Sequence, residues 1–193
     1  MEIRNAVVAA ALLFAGIGAA QAQSGLYLGA SFGASSFDRS IADGLIDPGS
    51  GPVDKSDTGL KLFGGFQVNR NFALEAAYVD LGEVRYRGSF GPDPVVNGRI
   101  EVTGINLSGV LSAPMSPQLT LFGKAGLFLW DAEANDITGG VPFSDSQDGT
   151  DLSFGIGASF AVARNIGVRA EWEFFESADA DANLLSIGVE FRF

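Results

Sequence analysis

The side chains able to do chemistry form a restricted set. The 193 residues hold no His and no Cys, and 23 Asp+Glu stand against 12 Lys+Arg for a formal net charge of -11. Without Cys there is no thiol nucleophile, disulfide framework, Cys-type zinc site or iron–sulfur ligation. Without His the commonest general base, the Ser-His-Asp arrangement and the usual haem and zinc ligands are gone. An acidic chain also lacks the basic footprint that a phosphate backbone needs, so no nucleic-acid partner is expected. Carboxylates, amines and guanidinium groups remain. Four cations (Lys61, Lys124, Arg169, Arg192) and four anions (Glu75, Glu171, Glu173, Glu190) recur among small residues along the chain. Paired carboxylates can hydrolyse a glycosidic bond when a sugar can reach them. Asp145-x-x-Asp148-Gly-x-Asp151 loosely resembles a calcium loop, but its spacing is not that of an EF-hand. GxG triplets such as Gly155-Ile156-Gly157 do not sit at a strand-to-helix turn, so no nucleotide site and no cofactor is expected.

What those groups do depends on the elements that hold them. Arg4 is followed by an unbroken apolar run over residues 6–20 and then by Ala20-Gln21-Ala22. Charge, apolar core and small-x-small site occur in the order of a secretory leader, so residues 1–22 are expected to be removed after Ala22. The run is too short to cross a membrane as a helix, which takes ~20 residues. Residues 23–193 then form one domain. There the period changes to two. Leu26, Leu28, Ala30 and Phe32 share one parity, and Tyr27, Gly29, Ser31 and Gly33 the other. The same alternation returns near residues 60–68, 72–79, 104–111, 119–130, 152–162, 166–175 and 185–193, making eight segments. Period two specifies strands with two unlike faces.

The second parity decides what the first one faces. In a soluble β-protein the non-core face is rich in Lys, Glu and Thr. Here it is rich in Gly, Ser and Ala and carries Lys61, Glu75, Lys124, Arg169, Glu171, Glu173, Glu190 and Arg192. Small residues suit a narrow lumen, and apolar ones suit lipid. The connections alternate as well. Residues 69–71, 112–117 and 163–165 are short, whereas roughly 36–57, 81–99, 131–150 and 176–183 are long and polar. Short turns on one rim and long loops on the other belong to an eight-stranded antiparallel up-and-down transmembrane β-barrel, all-β in class. An interior of that size is just filled by side chains, so the eight charges are read as a salt-bridge network, and a sugar could not enter. The acidic residues Asp38, Asp43, Asp47, Asp54 and Asp57, and Asp131, Glu133, Asp136, Asp145 and Asp148, are read as solvated loop charge, with divalent bridging to lipopolysaccharide as the alternative. Arg39 and Lys55 share the first loop, and Arg85, Arg87 and Arg99 flank the second. Tyr27, Tyr78, Trp130, Trp172 and Phe193 are candidates for aromatic girdles, with Trp130 alternatively capping the lumen.

Several stretches in order resemble the small outer-membrane β-barrel family related to the OmpA transmembrane domain. They are GLYLGASFG, GGFQVNRNFALEAAYVDLGE with Glu75 placed inward, FGKAGLFLW, NIGVRAEWEFF and LLSIGVEFRF. The resemblance implies a bacterial outer-membrane location among lipids and lipopolysaccharide. It also implies a monomer with a structural or surface-interaction role and no catalysis. Phe191 and Phe193 look like the terminal signal read by the barrel-assembly machinery. Longer members carry a peptidoglycan-binding domain after the barrel, so no cell-wall tether is expected of a chain ending at Phe193. A small ion-conducting channel of low conductance and a loop-mediated adhesin are the alternatives. Outer-membrane enzymes acting on lipid A generally use a His, which is absent here.

Overall fold

The computed structural model describes residues 25–37, 53–54, 56–88, 96–138, 141–176 and 181–193. The leader 1–22, its cleavage site, and Asp38, Arg39, Asp43, Asp47 and Lys55 lie outside the described residues. Among the described residues eight long strands occur: β1 (Leu26–Phe37), β2 (Ser56–Gln67), β3 (Phe72–Gly88), β4 (Val96–Pro114), β5 (Leu119–Thr138), β6 (Val141–Ala161), β7 (Ile166–Phe175) and β8 (Ala182–Arg192). A two-residue strand, Val53–Asp54, pairs with Tyr86 and Arg85 of β3. Each long strand pairs antiparallel with the next, and β8 returns to β1 with Val189 opposite Ala30. The ring is therefore closed. Closure lets every wall strand satisfy its main-chain groups without water, which a membrane demands.

Three tight turns share the rim that holds Gly25 and Phe193. Asn69 Oδ1 accepts the N–H groups of Asn71 (2.9 Å) and Phe72 (3.0 Å), and Ser116 Oγ accepts that of Leu119 (3.0 Å). Side chains that hydrogen-bond the backbone two or three residues on are what makes such turns short. Val162 N–H donates to the Ile166 carbonyl (3.0 Å) in the third.

The wall is inside out relative to a soluble protein. Leu121, Phe154 and Val189 are 43%, 45% and 53% exposed on the outer face, while Lys61 and Glu173 are fully buried on the inner one. Large inward rings fit because a glycine stands beside each. A Cβ on Gly65 would overlap the Tyr27 ring, and one on Gly29 or Gly157 would overlap Phe63 or Phe122. Small opposite large is how a narrow barrel fills its axis.

The structure corrects two of the long loops. Residues 81–88, 96–99 and most of 131–150 are strand, so β3 to β6 continue far past the membrane-facing wall as a projecting ribbon. Residues 131–150 carry little mark of this, because apart from Ala132 and Ala134, which pack on the interior, side chains of both parities such as Ser144 to Asp148 are exposed and leave no apolar period. At its base β3 bulges between Asp80 and Glu83, with Gly82 at φ 77° in the left-handed region that favours glycine. Asp57 of β2 braces the bulge by accepting the Glu83 N–H (2.9 Å). That bond and the Thr58 N–H hold the Asp57 carboxyl below the usual aspartate range.

Candidate functional site in the barrel lumen

Four strands bring the sequence-identified charges to one level. Lys61 comes from β2, Glu75 from β3, Lys124 from β5, and Arg169, Glu171 and Glu173 from alternate positions of β7. Lys61 Nζ lies 2.5 Å from Glu171 Oε2 and 2.5 Å from Glu173 Oε2. Lys124 Nζ meets Glu171 Oε1 at 2.7 Å and Glu75 Oε1 at 3.5 Å, and also pairs with Glu173. Arg169 Nη1 lies 2.7 Å from Glu75 Oε2, and Arg169 Nε lies 3.2 Å from Glu171 Oε2. Every carboxylate in this layer thus touches at least two cations, and every cation touches at least two carboxylates. Mutual pairing of this kind is what lets charges persist out of water.

Two predicted members sit at the margin. Glu190 reaches Arg169 only at 4.0 Å and accepts a hydrogen bond from Ser159 Oγ (2.7 Å). Arg192 joins Glu190 at 2.6 Å, but its side chain is 54% exposed at the short-turn rim, outside the central layer.

Sequence reading missed the aromatic part of the site. The Arg169 guanidinium is sandwiched between Phe63 (4.7 Å) and Phe122 (4.1 Å), so ring faces supply attraction where carboxylates do not. Tyr27 is not a girdle residue. It is buried inside, and its hydroxyl donates to Glu75 Oε2 at 3.0 Å. Its parity, shared with Gly29 and Ser31, carried that signal. Trp130 is also interior and donates from Nε1 to Asp151 Oδ2 (2.7 Å), whereas Trp172 and Phe193 face outward.

Toward the projecting end the lumen becomes apolar. Phe128 and Phe175 pack with centroids 4.6 Å apart and ring planes tilted by 49°, and Val79, Leu81, Val84, Ile100 and Leu184 belong to the same buried cluster. An ionic layer is therefore topped by a greasy plug. The Asp145-x-x-Asp148-Gly-x-Asp151 segment lies along β6, which puts Asp148 on the opposite face from Asp145 and Asp151. Among the described residues no group of three or more acidic side chains is placed to hold a metal.

An eight-stranded wall, an inverted face pattern and a charged axis are now in place. Residues 21–193 match the OmpA-like transmembrane domain. The chain belongs to that family. As a family member it is an integral outer-membrane β-barrel in contact with the lipids of that membrane. It is 29% identical to outer membrane protein A of Shigella flexneri, over 99% of this chain and 56% of that one. It is 32% identical to outer membrane protein A of Klebsiella pneumoniae, over 75% of this chain and 43% of that one. The chain thus spans about half the length of the curated relatives it matches. Among solved structures it is similar in fold to Ail, the attachment invasion locus protein of Yersinia pestis (TM-score 0.56, 18% identity, 88% of this chain and 97% of that one). It is similarly close to Neisserial surface protein A (TM-score 0.57, 19% identity, 88% and 98%).

Proposed function

We propose that this barrel works through its surface, as a closed structural and surface-interaction protein of the bacterial envelope, and not through an active site or an open pore. The filled lumen carries the reading. The ion layer and the Phe128–Phe175 plug together occupy the axis, and the function left is to present the projecting ribbon outside and lipid-compatible walls within. Lys61, Glu75, Lys124, Arg169, Glu171 and Glu173, with Glu190 and Arg192 at the rim, act as a register lock. Each wall strand that slipped by one residue would turn its charge into lipid. No catalysis, cofactor or metal enters this reading.

The biogenesis follows from the same features. Residues 1–22 act as a leader cleaved after Ala22, and residues 23–193 are the barrel domain. Phe191 on β8 and Phe193 just past its end are 40% and 62% exposed with their rings 5.0 Å apart, available to the barrel-assembly machinery. The finished barrel is a monomer in contact with phospholipid and lipopolysaccharide, its short turns in the periplasm.

Purified, refolded protein in planar bilayers tests the closed lumen. The expected result is no discrete conductance step. Regular steps would support the low-conductance channel instead. Cell adhesion with and without the gene tests the adhesin form of the surface role.

A further inference from the structure

The projecting ribbon has an edge that the wall does not. β6 pairs with β5 along its length from Val141, yet it pairs with β7 only from Ser153 onward. The last bond on that side runs from Glu176 N–H to the Leu152 carbonyl (2.9 Å). Between positions 141 and 152 no strand among the described residues covers this side, and residues 144–148 and Thr150 are exposed. In an antiparallel strand alternate residues turn both main-chain groups the same way. Since the Leu152 carbonyl points toward β7, the N–H and C=O groups of Thr150, Asp148, Ser146 and Ser144 point to the uncovered side. Asp145 Oδ1 shields one of these donors, the Ser146 N–H (3.0 Å), from its own neighbouring residue.

The charge on the two ribbon strands nearest this edge has one sign, with Arg99 and Arg85 standing two and three strands away. Residues 131–151 contain six acidic side chains and no Lys or Arg. Register stacks Asp131, Glu133 and Asp148 on the outer face, with Asp131 opposite Asp148, and Glu133 opposite Glu101, which is opposite Glu83; Asp145 lies on the other face of β6. Like charges directly across a ladder repel, and cations laid over them relieve the repulsion. An acidic edge also repels a second copy of itself, so it is guarded against self-pairing but open to a basic strand.

We infer that residues 144–150 of β6 bind an extended Lys/Arg-rich segment of another protein by strand addition. Main-chain bonds to the alternate residues supply affinity, and Asp131, Glu133 and Asp148 on the outer face, with Asp145 on the other, select the charge. This deepens the surface role proposed above and rests on the ribbon facing outward.

The whole folded barrel in lipid nanodiscs, titrated with an alternating Lys–Val dodecapeptide, tests it. The peptide is expected to bind with an affinity that falls as salt rises, and an alternating Glu–Val peptide is expected not to bind. Backbone amide exchange at Ser144, Asp148 and Thr150 should slow in the complex. Ser144→Pro keeps every charge but removes an unshielded donor on the open side, and should weaken binding about tenfold or more. Ser144→Ala should bind as the native chain does. Equal binding by Ser144→Pro, or amides unprotected in the native complex, would overturn strand addition. The amide measurement decides alone if Ser144→Pro does not fold. Because the chain has no Cys, Ser146→Cys gives a unique label site for a membrane-impermeant maleimide on intact cells. Labelling without peptide binding overturns this inference only. No labelling overturns the outward placement, and this inference with it.

Discussion

The membrane wall and the projecting ribbon are made of the same strands with the same facing, yet their chemistry is reversed. On β4, Asn106 and Ser108 point inward and Leu107 and Leu111 point out. A few residues earlier on that strand Ile100 and Val102 point inward, and Arg99 and Glu101 point out. The strand does not turn over between these stretches; the solvent changes. Hydrocarbon outside favours apolar side chains outward and leaves polar ones to pair along the axis. Water outside restores the soluble arrangement, with an apolar interior under a charged skin. The comparison teaches that parity is a property of the backbone, whereas which parity is greasy reports the medium.

The largest effect should come from the ionic layer. Arg169→Ala leaves Glu75 and Glu171 short of a cation and Phe63 and Phe122 without the ion between them. It is expected to cost about 3–5 kcal/mol, read as the shift in urea midpoint of the refolded barrel. A loss under about 1 kcal/mol would mean that water already serves that layer. Next is the apolar interior under the ribbon. Ile100→Ala should cost about 2–5 kcal/mol by the same assay, because the site is buried by neighbours on fixed strands. Charge on the outer face should then separate the two regions directly. Leu107→Arg, on the lipid side, is expected to cost about 2–4 kcal/mol in bilayers. Glu101→Arg has the same parity on the same strand but lies in the ribbon, and should change stability by about 0.5 kcal/mol or less. Equal costs for the two would erase the boundary drawn here.

The smallest effect concerns the joint between the regions. The Asp57 carboxyl is held below its ordinary range, so the folded state favours its charged form. The stability this contributes is present above the ordinary aspartate pKa, about 4, and is lost as pH falls through the lower folded value. Asp57→Asn should therefore destabilise the barrel slightly at neutral pH. The gap from the native chain should close in acid, as measured by parallel unfolding curves at neutral and low pH. A gap that widens in acid would assign the brace to the neutral form.

Much of this was legible in the residues. The alternation of Leu26 to Gly33, the small residues of the second parity and the spacing of the three tight turns determine a membrane barrel of eight strands, because period two and the need to satisfy backbone groups in lipid leave little choice. The inward side of Lys61, Glu75, Lys124, Arg169, Glu171 and Glu173 follows from the same parity. The partners do not. Parity names a face but not a height along the axis, and the shear of a closed ring decides which strands meet at one level. Only the folded ring therefore put Arg169 between Phe63 and Phe122 and brought Tyr27 to Glu75. The tertiary structure alone also decided that residues 131–150 stand as a paired ribbon with one side that no strand among the described residues covers. Apart from Ala132 and Ala134, that segment has no hydrophobic period to betray it. Its strands are held by main-chain bonds to neighbours, which the side chains do not announce.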